Sequence, residues 1–194
     1  MVGPTSFGYQ ISGFGGGTIA DPGNLKLLQT QTASNATLEF ESLSESTYNI
    51  HFFTFTNINL GSQTEVGYRL SDDGGTSYET GYHFANRRVD SGNSGDDRKS
   101  TSQNAARLFG DIDTGARSIS NGYLYLYNAG DSGKYTFTTG HFTFMNNDDE
   151  ASTEFGSGMY ATTATMNGIS FGASTTGTTA LESGIISCYG LKDT

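Results

Sequence analysis

The chain has 194 residues and a formal net charge of -10 at pH 7, with 27 glycines, 11 tyrosines and 13 phenylalanines but only two prolines. This composition favours short β-strands joined by glycine turns and argues against an all-α fold. The acidic charge argues against nucleic-acid binding, which needs clustered Lys and Arg. The length suits a single sandwich or barrel domain with tails.

Cysteine content and hydropathy narrow the class further. Cys188 is the only cysteine, so an intrachain disulfide, a thiolate zinc cluster and a CxxC redox pair are all ruled out. The first five residues lack the positive start and apolar stretch of a secretion signal, and no run of 18 apolar residues occurs. We therefore expect a soluble protein that is made in a cytoplasm and has no membrane partner.

Residues 1–24 are predicted to form an extended arm, because seven glycines separate a few core-sized side chains. Such an arm is either disordered or added as a strand to a neighbouring subunit, where backbone bonds supply affinity and alternate side chains supply register. The remaining residues, 25–194, are predicted to form one β-sandwich domain. The candidate partner-binding residues of the arm are Phe7, Tyr9, Ile11 and Phe14.

Two-residue alternation of apolar side chains begins at Ala36 and predicts strands over 36–42 and 47–56. The alternation resumes over 66–70 and 78–84, on either side of Asp73-Gly74-Gly75. Asp-Gly and Gly-Gly tolerate the positive φ angles of tight turns. This segment is therefore predicted to be a β-hairpin.

Residues 86–104 contain almost no apolar side chain and are predicted to be a long exposed loop. Long loops in compact domains are often functional, although a plain mobile loop remains the alternative. The segment carries the nearest approach to a basic cluster, which neighbouring aspartates dilute. Its candidate partner-binding residues are Arg87 and Arg88.

Beyond this segment, residues 107–110 are predicted to be a short strand. Three tyrosines then alternate with two leucines, which predicts a strand with one buried side and one amphipathic side. Residues 128–133 supply a turn, and 135–144 supply the return strand of a second hairpin. The tyrosines could stack on sugar rings, or pack in the core or at an interface. They are the third group of candidate partner-binding residues: Tyr123, Tyr125 and Tyr127.

The last apolar stretches lie at 159–166, 168–172 and 185–189 and bring the total to eight or nine strands. Strands of this length and spacing predict an all-β fold, an antiparallel β-sandwich of jelly-roll type. The chain shows no heptad, no repeat of 20 to 50 residues and no collagen triplet. We therefore expect a globular head and not a shaft.

No stretch of the sequence carries a strong catalytic or metal-binding pattern. The three histidines are far apart and match no local metal motif. The acidic run at 148–150 could ligate calcium but lacks the EF-hand order, so a solvated turn is the favoured interpretation. No paired carboxylates, nucleophile elbow or dinucleotide glycine motif stands out. We predict a protein that binds or builds, without catalytic residues, metal or cofactor.

Two stretches resemble small virion proteins of tailed bacteriophages. Residues 68–78, Tyr-Arg-Leu-Ser-Asp-Asp-Gly-Gly-Thr-Ser-Tyr, followed by Gly81-Tyr82, are similar to their "R-x-S-x-D-G-G-T-x-Y" hairpin. Residues 166–171 followed by 183–192, Ser-Gly-Ile-Ile-Ser-Cys-Tyr-Gly-Leu-Lys, are similar to their closing strand, turn and "S-G-x-I-x-x-Y-G-[IL]-K". With the spacing between them, the resemblance spans residues 36–192.

The resemblance implies a jelly-roll-like domain in the virion, used as a capsid decoration or tail appendage protein and usually assembled as a homo-oligomer, a trimer by analogy. Its implied partners are the major capsid protein or other virion subunits. We expect a capsid decoration or cement protein. The alternative is the receptor-binding head of a tail fibre that recognises glycan through the tyrosines and residues 86–104, although no shaft segment is present. A glycan-cleaving enzyme is disfavoured, because no acid pair is identifiable.

Overall fold

The computed structural model describes residues 25–92, 94–110, 112–113, 119–173 and 180–192. The predicted arm, 1–24, lies outside these residues. Every regular element within them is a β-strand, which confirms the all-β prediction. The strands are β1 (Leu25–Ala36), β2 (Leu38–Phe40), β3 (Ile50–Asn59), β4 (Glu65–Ser71), β5 (Tyr82–Asp90), β6 (Asp97–Gln103), β7 (Ala106–Gly110), β8 (Ser120–Tyr127), β9 (Thr136–Met145), β10 (Ala151–Tyr160), β11 (Gly168–Ala173) and β12 (Leu181–Leu191).

The strands form two antiparallel sheets that pack as a sandwich. The larger sheet has the order β1-β12-β3-β8-β9-β10-β5-β6, and the smaller has the order β2-β11-β4-β7. If the hairpins β5–β6 and β9–β10 are set aside, four strands remain in each sheet, and the chain changes sheet at every step except from β4 to β7, which both lie in the smaller sheet. This is the eight-stranded jelly roll, with its two Greek keys. The two hairpins extend the larger sheet beyond β8.

The core between the sheets is built from aromatic rings. Phe53 lies 5.6 Å from Phe40 and 5.2 Å from Phe171 between ring centroids, both in edge-to-face arrangements. Phe142 stacks on Phe109 at 4.5 Å. Full burial of each such ring contributes about 1.5–3 kcal/mol, so these contacts hold the sheets together where β3, β9, β11 and β7 meet.

The predicted hairpin around Asp73-Gly74-Gly75 is wrong. β4 lies in the smaller sheet, whereas β5 lies in the larger one, so residues 72–81 carry the chain across the sandwich. The predicted tight turn is present, because Gly74 and Gly75 have positive φ angles of 72° and 88°. The Asp73 carboxylate accepts bonds from Ser77 N at 2.9 Å and Ser71 Oγ at 2.8 Å. These bonds stabilise a self-contained loop and do not bring the flanking strands together.

The two stretches that carry the phage resemblance contact each other. β4 and β11 are neighbours in the smaller sheet, with Leu70 opposite Ile169. The Asn167 side chain accepts a 2.8 Å bond from Gly74 N and donates a 3.1 Å bond to the carbonyl of Asp72. Residues 166–171 therefore fix the crossing loop against the smaller sheet, whereas residues 183–192 of the second stretch belong to β12 in the larger sheet.

The predicted loop over 86–104 is also wrong, because β5 and β6 form a regular hairpin there. From Asn86 onwards its inward side chains are polar, and those of Asn86 and Asp90 are satisfied by hydrogen bonds. The Asn86 amide donates to the carbonyls of Arg107 and Leu108 at 3.0 and 3.2 Å. The buried Asp90 carboxylate accepts a 2.6 Å bond from Ser152 Oγ. Hydrogen bonds thus replace the apolar alternation that marks most strands.

Other predicted elements have mixed outcomes. The second hairpin is confirmed as β8 and β9, which pair from Asn121–Thr143 to Tyr127–Phe137. The short strand at 107–110 is confirmed as β7. The stretch at 159–166 is wrong as a strand, because β10 ends at Tyr160. The described residues form twelve strands, more than the eight or nine predicted, mainly because the hydrophobic pattern does not mark strands that are rich in polar residues.

A buried charged cluster holds the two hairpins against the smaller sheet. Glu154 on β10 is 0% exposed and accepts 3.2 Å bonds from Arg107 Nε, Arg107 Nη2 and Gly110 N. Asn86 donates a fourth bond at 3.3 Å. Arg107 Nη1 also donates to Glu65 at 2.8 Å. Both β5 and β10 are thereby joined to β7 and β4.

Candidate functional site: an aromatic sheet face

The strand β8 separates its side chains by alternation, as its sequence predicts. Leu124 and Leu126 point into the core and are 1% and 0% exposed. The three tyrosines of β8 lie on the opposite, outer face of the larger sheet. Tyr123 is exposed, and Tyr125 and Tyr127 are half-buried by their neighbours.

Aromatic residues of adjacent strands continue this face. Phe52 on β3 lies 4.8 Å from Tyr125 and 6.1 Å from Tyr189 between ring centroids. On the other side, Tyr123 lies 6.1 Å from His141, and His141 lies 6.1 Å from Phe155. Rings at these separations support one another. We call the following set the aromatic face: Phe52, Tyr123, Tyr125, Tyr127, Phe137, His141, Phe155 and Tyr189.

The strand register shows why these residues lie together. Tyr189, Phe52 and Tyr125 are successive cross-strand partners. A second row runs through Tyr123, His141 and Phe155. Same-face neighbours on adjacent strands approach to about 5 Å, so five strands contribute to one continuous surface. The positions between the rings are occupied by small polar residues: Thr54, Thr139, Ser157 and Ser187.

The predicted arginines occupy different positions. Arg87 is in register with Phe155 and forms a 2.9 Å ion pair with Asp97, with the two side chains 48% and 66% exposed. Arg87 therefore borders the aromatic face. The Arg88 side chain is only 12% exposed and is paired with Asp90 at 3.1 Å and Asp96 at 3.4 Å, so the structure does not bring it to this surface.

The four predicted residues of the arm, Phe7, Tyr9, Ile11 and Phe14, lie outside the described residues. Sequence reasoning missed Phe52, Phe137, Phe155 and Tyr189 as members of a surface. The alternation of β3 and β9 gave a signal for the first two, because every second side chain there faces outward. No local signal shows that β3 lies between β12 and β8, since that arrangement comes from the fold.

A second feature is a cleft of about 380 Å³ between the β5–β6 hairpin and the smaller sheet. Phe84 and Ala105 give it apolar walls, and Glu65, Gln103 and Arg107 give it polar groups. Asp97, Arg98 and Lys99 also line it, so most of the residues in its walls are polar or charged; its volume falls in the range of small-molecule sites. It lies beside the buried Arg107–Glu154 ion pair.

His51 and Cys188 are both buried, so neither offers a reactive group at the surface. His51 donates from Nε2 to the carbonyl of Leu43 at 2.7 Å, and burial lowers the pKa of its ring below 6.5. Burial raises the pKa of the Cys188 thiol to about 12, so it is protonated at neutral pH. No group of three or more His, Cys, Asp or Glu side chains close enough to hold a metal ion occurs among the described residues.

The acidic run at 148–150 forms a tight turn between β9 and β10. The Asn146 side-chain oxygen accepts 3.0 Å bonds from the backbone N of Asp148 and of Glu150. The Asn146 amide donates to the Glu150 carboxylate at 3.2 Å. A self-bonded turn of this kind accounts for the clustered Asn and Asp residues without a bound ion.

No helix capable of crossing a membrane is present in the part of the chain that the structure describes. Comparison with known proteins gives no match to a family model, to a curated protein or to a solved structure.

Proposed function

We propose that this protein is a structural protein of a bacteriophage virion, of the capsid decoration or cement type. The observation that carries the proposal is the aromatic face, an uncharged aromatic surface on the outer side of a jelly-roll sheet. Interface cores are enriched in aromatic residues and depleted of charge. Apolar patches of several hundred Å² on soluble proteins usually mark interaction sites. The jelly roll is also a frequent capsid architecture, which supports the proposal by analogy alone.

The resemblance to phage virion proteins supports the same role, and the first part of its second motif contacts its first motif in the fold. Asn167 from the second motif binds the loop of the first. These bonds give Asn167 a structural role in the domain.

The arm at 1–24 is proposed to attach the domain to its neighbours. It precedes β1, which is an edge strand of the larger sheet and exposes Leu25 and Leu27. An edge strand of 12 residues offers unpaired backbone groups for strand addition. The partners in this proposal are the major capsid protein or other virion subunits, with the protein itself a homo-oligomer.

Binding to particles that lack this protein tests the proposal. The purified full chain is mixed with such particles and sedimented, and a chain without residues 2–24 is the comparison. We expect saturable binding by the full chain and weaker binding by the shortened one. Absence of saturable binding by the full chain would overturn the decoration role.

Cryo-electron microscopy of intact particles then locates the chain. Regular copies on the capsid lattice are the expected result. Density only at the end of the tail would overturn the decoration role in favour of the alternative, a receptor-binding head that recognises glycan.

The cleft beside Arg107 is the observation that favours this alternative. Glu65 and Gln103 supply an acceptor and a donor there, and Phe84 supplies an apolar wall, a combination suited to a sugar ring. A glycan array with wild-type protein and an Ala105→Phe variant, which fills the cleft, tests it. Reproducible binding that the variant loses would support the alternative, and an array without a hit would end it.

A further inference from the structure

Around the aromatic rings, the outward positions of five adjacent strands carry no charged side chain, although the chain has a net charge of -10; the exposed Glu182 lies at the far end of β12, outside this region. The strands are β12, β3, β8, β9 and β10, which are consecutive in the larger sheet. Over 185–191, 50–56, 121–127, 137–143 and 153–159 the outward side chains are aromatic, aliphatic, histidine, hydroxyl, amide or methionine groups.

This distribution of charge indicates what kind of partner covers the aromatic face. Two copies of a strongly acidic chain repel each other, and the repulsion is smallest where the contact itself contains no carboxylates. A partner of opposite charge would instead be recognised through acidic groups that face it. The aromatic face offers none, so it suits a partner with the same charge as the chain itself.

The size of the surface fits a stable contact. Neighbouring strands are about 4.8 Å apart and same-face residues along a strand about 6.7 Å apart. The six neighbouring strands are β1, β12, β3, β8, β9 and β10. With four rows of residues they cover roughly 24 by 20 Å, or about 480 Å² in projection. Side chains that stand above the sheet add accessible area to this projection. The result is of the same order as the about 800 Å² that each partner buries in a standard interface.

The two borders of the sheet differ in a way that orients the contact. At the β6 edge, Asp97, Arg98 and Lys99 carry charge, and charged edge strands resist pairing with other sheets. At the β1 edge, Leu25 and Leu27 are 49% and 53% exposed and continue the apolar surface. The uncharged surface therefore extends from the aromatic rings towards β1 and stops at the charged hairpin.

We propose that the aromatic face is covered by a second copy of this chain, with Phe52 and Tyr125 at the centre of the contact. The protein is thus a homo-oligomer that associates through the outer face of its larger sheet. The inference deepens the proposed function and rests on it for the role of the oligomer in the virion.

Sedimentation-velocity ultracentrifugation of the full chain over a wide range of concentrations tests the inference. We expect an oligomer whose dissociation constant rises by at least about 30-fold in the Tyr125→Glu variant, as for a central interface residue. The matched control is Thr101→Glu, which adds the same charge at an exposed position of β6. This control should associate as wild type does.

A second variant guards against misfolding. Phe155 is 47% exposed, so Phe155→Lys adds a charge to the aromatic face without burying it in the domain. Circular dichroism and urea unfolding identify which variants are folded. A wild-type chain that is monomeric at every concentration, or folded face variants that associate as tightly as Thr101→Glu, would overturn the inference.

The particle-binding experiment separates this inference from the proposed function. A wild-type oligomer that does not bind particles would overturn the virion role and leave the self-association in place. A monomer that binds particles through the aromatic face would overturn the inference and leave the virion role in place.

Discussion

Replacing Arg107 by leucine should be among the most destabilising single substitutions in this fold. The change removes both bonds from Arg107 to Glu154, at 3.2 Å each, and the 2.8 Å bond to Glu65. Glu154 then keeps only the bonds from Asn86 and from Gly110 N. A fully buried carboxylate without its cation costs about 3–5 kcal/mol.

That cost is a large part of the about 5–15 kcal/mol by which folded domains are stable. For a domain of this size it corresponds to a fall in Tm of roughly 6–20 °C, at about 2–4 °C per kcal/mol. The matched control is Arg87→Leu, because the Arg87–Asp97 pair has the same chemistry with side chains 48% and 66% exposed. An exposed pair contributes about 0–1 kcal/mol, so this control should change little.

Equilibrium unfolding in urea, followed by circular dichroism, measures the difference. The Arg107→Leu, Glu154→Leu double variant should recover much of the loss, because the carboxylate that then lacks its cation, Glu65, is 24% exposed and not fully buried. The explanation fails if the free energies of unfolding of Arg107→Leu and Arg87→Leu agree within about 1 kcal/mol. Such agreement would show that Glu154 does not need its cation to be stable inside the domain.

Three further predictions follow from buried groups. Burial lowers the pKa of His51 below 6.5. Just below pH 6.5 the unfolded chain therefore binds a proton at this residue, whereas the folded chain leaves the ring neutral. Stability should therefore be complete above about pH 6.5 and fall below it, and His51→Gln should reduce this fall in urea unfolding measured at several pH values. A Cβ at Gly190 would lie 2.5 Å from the Tyr48 ring, so Gly190→Ala should cost about 1–3 kcal/mol. At Gly61 the nearest atom is 3.7 Å away, so Gly61→Ala should unfold like wild type; equal effects of the two would contradict the packing. Cys188 is buried and its thiol pKa is raised to about 12, so a thiol reagent should modify it only in the unfolded chain, and rapid reaction of native protein would show that β12 opens.

The fold class could be predicted because alternation and turn residues act locally. The β8–β9 hairpin is the clearest case, since Leu124 and Leu126 are buried and the turn between the strands contains Gly130 and Gly133. The loop around Asp73 shows the limit of the same reasoning. Its side chain and its two glycines specify a turn, but the strands that pair with β4 are β11 and β7, both of which are distant in sequence.

The β5–β6 hairpin beyond Phe84 could not be predicted from the hydrophobic pattern, because from Asn86 onwards its inward side chains are polar. Asn86 and Asp90 are buried, and their partners lie on β7 and β10, tens of residues away. A polar residue at an inward position becomes favourable only when its bonds are completed. The sequence alone does not show whether those partners are in reach.

The candidate surface was predicted in part, for a similar reason. The tyrosines of β8 form a local pattern, so Tyr125 could be named from its own strand. Phe52 lies on β3, which the jelly-roll topology places beside β8, and Tyr189 lies on β12, which the same topology places on the far side of β3. Arg87 and Arg88 lie on opposite faces of the larger sheet, because adjacent residues of a strand point to opposite sides.

The two inserted hairpins connect the buried cluster with the aromatic face. An eight-stranded jelly roll would end its larger sheet at β8, so Phe137, His141 and Phe155 exist on this surface only because β9 and β10 extend it. These strands also need support from within, and Glu154 supplies it by binding Arg107 on β7. Phe155 and Glu154 are adjacent on β10 and face opposite sides. Loss of the cluster should therefore loosen the half of the aromatic face that the core jelly roll does not provide.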